Sequence, residues 1–328
     1  MKPLIFFECS LKNDNYEGTR ARKNLKGALE LCNVSYSSSV YDDTFNVAHF
    51  ISLKDYKQYK QDLKENCKLV ISLFYAEEDE NAELFINKKE PYELTKTDVS
   101  LLNEFNLILV PSNECIDILK NDGVTTKIKK FSPGVNLVKY DLKSAYERYI
   151  AYKYLRTPEE VPLITINFKH SDDIAISRIC DVARAFPNIK FIAISQSDRF
   201  SRKSKKLIKK ATSNLTFSPV LENDIYCSLL VDSFVYLVVS SFKGNVFGCL
   251  EAMAANCQVL AIEGSTFSDI VVDKETGYVY NNVDSLKNGI EDCLNKKLIP
   301  TTTKAYQYAE ENSLSINGPK LLDIYKKL

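Results

Sequence analysis

The sequence predicts an α/β protein built on two parallel sheets, and two observations carry that prediction. Short, unbroken apolar runs alternate with longer amphipathic stretches, the pattern of strands buried on both faces and joined by crossover helices. The alternation also occurs in two series, separated by the proline-containing stretch YLRTPEEVP. A chain of 328 residues, 45% of them hydrophobic, is long enough for two cores of roughly 150 residues each.

In the first series PLIFFE, NVAHFI, KLVISLFY and NLILVP read as strands. Between them the pattern predicts a helix from about Thr19 to Cys32, a Lys/Tyr-rich helix after NVAHFI, and a helix from Ser112 to Asn121. The acidic run Ala76–Glu83 is expected to start another helix, with carboxylates at its positive end. The lesser reading of that run is an acceptor-side general base. The second series runs PLITINF, a helix ending at Phe186, IKFIAIS, LTFSPV, FVYLVVSS, CQVLAIEG and YVYNN. Together they describe two Rossmann-like domains facing a cleft, residues 1–153 and 154–304.

Composition removes several classes. The chain has 43 basic and 43 acidic residues, so nucleic acid is not an expected partner. Nine cysteines are scattered without a CxxC pair and with only two histidines, which argues for buried reduced thiols rather than disulfides or a metal site. The apolar run in MKPLIFFECS is too short for a signal peptide, and no segment reaches the roughly 18 apolar residues of a membrane span. The expected location is therefore cytoplasmic, with contact at a membrane surface left open. The basic run Arg199–Lys210 suits a solvated helix face, and its alternative is a contact with anionic lipid or an acidic partner.

The chemistry concentrates in FKGNVFGCLEAMAANCQVLA, Phe242 to Ala261. Gly244 and Gly248 allow close backbone approach to a ligand where a helix begins, and free N–H groups there attract phosphate. Glu251, read as lying in that first turn, would also suit the positive end of the helix dipole, so capping competes with ligand binding. Ser240–Gly248 and Glu263–Asp269 are both loops at carboxyl ends of strands, where open α/β sheets bind ligands. Gly18-Thr19-Arg20 reads as a loop-to-helix start with Thr19 as N-cap. His170, beside Lys169 at a strand end, is either solvated or a ligand contact.

The run SSFKGNVFGCLEAMAANCQVLAIEGSTFSDIVVDKETGYVY resembles the signature region of the family 4 (group 1) glycosyltransferases of GT-B fold. Other segments are similar in the right order: the SPGVN turn at Ser132–Asn136, FPNIKFIAIS, LENDIYCSLLVDSFVYLVVSS and the tail AEENSLSINGPKLLDIYKKL. The resemblance covers most of the chain from Asn103 onward. It implies a terminal helix, about 305–328, that crosses back to the first domain. It also implies a retaining transfer of a hexose from a nucleotide-diphosphate sugar, UDP-linked by preference, to a glycan, lipid or protein acceptor, with no metal required.

On that resemblance Glu251 matches the second glutamate of a paired-glutamate motif and would hold the donor ribose. Asn245, Val246, Phe247, Gly248, Gly264, Ser265 and His170 would lie along the donor, and Gly18, Thr19 and Arg20 on the acceptor side. Lys169 and Lys243 are the candidate catalytic cations. The sequence departs from the family at three places. Lys243 stands where the first glutamate is expected, Phe74 near the expected N-domain histidine, and Ile174 at one of two expected diphosphate cations. His49 lacks the motif context to replace that histidine. These departures motivate an alternative, a non-catalytic accessory subunit that binds an acceptor. A non-hydrolysing epimerase of the same fold would need acid/base groups that no matching spacing supplies.

Overall fold

The computed structural model describes residues 5–6, 17–37, 39–41, 45–74, 94–132, 134–141, 151–169, 172–195, 202–219, 221–244 and 246–328. The chain divides into two compact units, residues 1–135 with 312–328, and residues 136–311.

In the first unit β1 (Ile5–Phe6), β2 (Tyr36–Ser37), β3 (Val47–Phe50), β4 (Lys68–Ser72), β5 (Leu107–Val110) and β6 (Ile128–Lys130) form a parallel sheet in the order β2-β1-β3-β4-β5-β6. Strands β3 and β5 are buried along their whole length; β5 is an unbroken apolar run, and β3 is apolar apart from His49. The crossovers include α1 (Glu17–Leu31), α2 (Leu53–Tyr59), α3 (Lys96–Leu102) and α4 (Asn113–Asn121). Polar caps start the last three: Ser52 accepts from the amides of Lys54 and Asp55, Thr95 from Asp98, and Ser112 from Glu114.

The second unit contains β7 (Leu163–Phe168), β8 (Lys190–Ser195), β9 (Leu215–Ser218), β10 (Val235–Val238), β11 (Gln258–Ile262) and β12 (Tyr278–Tyr280). Its parallel order, β9-β8-β7-β10-β11-β12, is the doubly wound arrangement in which the winding reverses between β7 and β10. Its helices include α5 (Asp173–Ala185), α6 (Arg202–Ile208), α7 (Asn223–Asp232), α8 (Val246–Ala254), α9 (Val283–Leu294) and α10 (Thr302–Glu311). Apolar side chains of β7, β8, β10 and β11 meet those of α5 and α9 in one continuous core. Each fully buried Leu, Ile or Phe there contributes about 1.5–3 kcal/mol.

The tail forms two helices rather than one. Helix α10 packs on α8 in the second unit, whereas α11 (Leu314–Lys326) packs on α1 in the first. The approach of α11 is close at Gly318, where a Cβ would stand 2.4 Å from the Ala28 carbonyl oxygen. The chain leaves the first unit after Val135 and re-enters at Asn312, and these points are hydrogen-bonded, Val135 N–H to Asn312 O at 3.0 Å. Gly134 permits this, since at φ +87° it adopts a left-handed conformation and a Cβ would meet Leu314 at 2.9 Å.

Sequence and structure differ in three further places. The division falls at 135/136 rather than 153/154. The 3-10 turn Leu137–Tyr140 packs on α7 and α8, and Ala151 is buried with Leu163, Ile192 and Leu229. Strands β2 and β6 were not foreseen; both are short, partly exposed edge strands whose sequences, YS and IKK, carry no apolar run. Helix α1 begins at Glu17, so Gly18 and Thr19 are already helical and Thr19 is not the cap. The helix extends because Ala21, Leu25, Ala28 and Leu29 continue one buried stripe. The expected helix at Ala76–Glu83 lies outside the described residues.

Candidate functional site

The reversal point of the second sheet is held by two side chains from the segment after β7. Asp172 caps α5 by accepting from Ala175 N–H at 2.9 Å, and its other oxygen accepts from Ser241 N–H at 2.7 Å. Arg178, one turn into α5, donates to the carbonyl oxygens of Val239 at 2.9 Å and Ser240 at 2.8 Å. The end of β10 is thus gripped through both its acceptors and the amide that follows them. The sequence reading missed both residues. The available signal was Asp172-Asp173 directly after a buried strand, a capping pattern.

Helix α8 follows that loop, and its residues are buried from Val246 to Ala254. Glu251 lies in its second turn, where no orphan amide of the helix N-terminus needs a carboxylate, so dipole capping does not account for it. Its side chain is 7% exposed, and Oε2 accepts from the Tyr226 hydroxyl at 2.9 Å. The Tyr226 oxygen in turn accepts from Asn167 Nδ2, at 2.8 Å, near the end of β7. Asn167 Oδ1 is buried and meets no donor among the described residues. A relay therefore runs from β7 through α7 to α8. Burial, and next the Glu251 carboxylate, push the neighbouring Cys227 thiol up to about 12, which keeps it protonated and unreactive.

Lys169, 7% exposed, directly follows β7, and Lys243 is half-buried in the bend before α8, so both belong to the loops at the carboxyl edge of the second sheet. Val246 and Phe247 turn their side chains into the core, which leaves only the backbone of Val246–Gly248 to meet a ligand. Gly264, after β11, is exposed with φ +79° and has open space where a Cβ would stand.

Ser265 faces the interior. It is fully buried, its hydroxyl lies 3.0 Å from Val238 O and 2.5 Å from Ile262 O, and its N–H donates to Ile262 O at 3.0 Å. The N–H closes the turn at the end of β11, and the hydroxyl lies between the carbonyl oxygens that end β11 and β10. His170 and Asn245 lie outside the described residues. Gly18, Thr19 and Arg20 belong to α1 of the first unit, where Arg20 is partly buried.

In the first unit His49 is a structural group. Its ring nitrogens lie 2.6 Å from the Tyr325 hydroxyl and 2.7 Å from the Ser72 hydroxyl, so α11 is fastened to β3 and β4. Burial pulls its pKa down to about 3. Phe74, near the position expected for the family histidine, has φ +70°, a strained conformation for a bulky side chain. Among the described residues no group of three or more His, Cys, Asp and Glu side chains could hold a metal ion.

No family model and no curated protein matches the sequence. Solved structures do match in shape. HepE of Anabaena, in complex with UDP and glucose, has a TM-score of 0.76 at 12% identity, over 99% of this chain and 100% of that one. A glycosyltransferase of Rickettsia africae has a TM-score of 0.72 at 14% identity, over 100% and 99%. WaaG, a glycosyltransferase involved in lipopolysaccharide biosynthesis, has a TM-score of 0.67 at 13% identity, over 98% and 99%.

The chain has the GT-B fold. At these identities the likeness is one of architecture. Within the GT-B frame, the second unit is the doubly wound domain whose reversal point Asp172, Arg178 and the Asn167–Tyr226–Glu251 relay organise.

Proposed function

We propose that this GT-B chain is a retaining glycosyltransferase, moving a hexose from a nucleotide-diphosphate sugar, UDP-linked by preference, to a hydroxyl of a glycan, lipid or protein. The observation that carries the reading is the buried Glu251 carboxylate, braced by Tyr226 at the reversal point of the second sheet. An ionised carboxylate has lone pairs beyond the one Tyr226 uses, enough to accept from two vicinal ribose hydroxyls. Nucleotide-bound neighbours support the donor class, since HepE structures are described with UDP and with UDP-glucose.

The remaining roles follow from charge. The departing diphosphate requires cations and amide donors, which Lys169 and the backbone of Val246–Gly248 would supply without a metal. Lys243 would meet a phosphate or an acidic sugar where a carboxylate would have held sugar hydroxyls, because a charged lysine only donates. That same lysine favours a second reading, a subunit that binds nucleotide or acceptor without catalysing transfer.

Two measurements test the proposal. Calorimetric titration with UDP and GDP should give binding to the native chain and at least about tenfold weaker binding to Glu251→Ala, the loss of a hydrogen bond to a charged group. Unchanged affinity in that variant would overturn the site. Incubation with a panel of nucleotide sugars should then release nucleoside diphosphate; binding without turnover would favour the accessory subunit.

A further inference from the structure

Helix α6 and the turn after it carry a basic face that the transfer reaction does not use. Arg202, Lys203, Lys205, Lys206, Lys209 and Lys210 are all exposed, in a chain whose total charge is zero. Lys203 pairs with Asp173 at 3.1 Å, and the other five form no ion pair among the described residues. Arg202, Lys205, Lys206 and Lys209 line a shallow depression of ≈ 380 Å³. The inward side of the helix is fixed: Ser204 donates to Asp173 at 2.8 Å, and Leu207 and Ile208 pack against the second unit's core.

Three features narrow the partner. Clustered like charges repel, so a counter-charged surface gains more from this face than from isolated lysines. Five of the six cations are lysines, which are depleted at protein interfaces, whereas arginine and aromatics are enriched there. Compact, strongly hydrated ammonium groups on flexible stems suit a plane of phosphates better than a fixed protein epitope. The apolar residues of the helix are committed to the core, so the face has nothing to insert into acyl chains.

We infer that this face docks on an anionic lipid surface, its lysines meeting headgroup phosphates while the helix stays outside the hydrocarbon. The contact is electrostatic, reversible and independent of the nucleotide site. It orients the second unit with α6 toward the membrane.

Sedimentation of the full chain with phosphatidylcholine vesicles, with and without phosphatidylglycerol, tests this. Binding should require the anionic lipid and disappear when salt is raised from about 0.1 M to about 1 M. The triple variant Lys205→Gln, Lys206→Gln, Lys209→Gln should bind about a hundredfold more weakly, near fivefold per cation. A control with the same charge change at exposed sites elsewhere, Lys96→Gln, Lys120→Gln, Lys296→Gln, should bind as the native chain does. Equal loss in the control, salt-insensitive binding, or no binding to anionic vesicles would overturn the proposal. Binding to polyglutamate without binding to vesicles would overturn it in favour of an acidic protein partner. UDP titration of the same variants keeps this result separate from the donor site, which they leave untouched.

Discussion

In the first unit Arg22 pairs with Asp55 in the interior, and His49 joins Tyr325 to Ser72. In the second, Asp172 and Arg178 grip the end of β10, and Asn167 and Tyr226 lead to Glu251. The first set links whole elements to one another: α1 to α2, and α11 to the sheet. The second set lies at strand ends, where the order of the sheet reverses. Buried polarity in one unit fastens the fold, whereas in the other it fixes loops at the edge where doubly wound sheets take ligands.

The largest effect is expected in the first unit. Arg22→Ala removes the guanidinium that pairs with a buried carboxylate and should cost about 3–5 kcal/mol in urea unfolding, with UDP affinity of the folded protein unchanged. A parallel loss of affinity would break the division of labour.

The pH dependence of stability sharpens the same point. The folded state holds His49 near pKa 3, below the ordinary value of about 6.5, so between those values the unfolded chain binds a proton that the folded chain refuses. The His49 contribution is therefore complete above about pH 6.5 and declines as pH falls toward about 3, by a few kcal/mol in all. The difference in stability between the native chain and His49→Gln, followed by urea unfolding, should shrink as pH falls through that window and stay constant above it.

A matched pair of tyrosines tests the comparison directly. Tyr226→Phe and Tyr325→Phe each remove a hydroxyl that is hydrogen-bonded to a buried side chain, and each should lose about 1–3 kcal/mol of stability. Only Tyr226→Phe should also weaken UDP binding, because only it releases Glu251. Equal affinities would erase the distinction between the units. The smallest effect belongs to Gly264→Ala, where space is open but φ is +79°, so left-handed strain of about 1 kcal/mol should appear without a packing defect.

Much of this was legible in the sequence. Strands such as VAHF, LILV and LITINF are buried on both faces, so their apolar runs announce them. Edge strands β2 and β6 escaped because an edge needs no such run. The site was legible only where a residue type is unusual for its place. Glu251 stood out as an acid inside an apolar helix, whereas Tyr226, Asn167 and Arg178 are ordinary residues whose roles come from partners 25, 59 and 61–62 positions away. The inward placement of Ser265 was illegible for the same reason, since a serine after a strand looks alike whether it faces solvent or carbonyl oxygens.

The return of α11 to α1 sets an order of events during synthesis. Residues 312–328 belong to the first unit but are translated after all of residues 136–311. The second unit is therefore complete on the ribosome while the first still lacks the helix that covers Ala28 and supplies Tyr325 to His49. Until then His49 and the inner stripe of α1 are without that cover, and the domain begun first is the domain finished last.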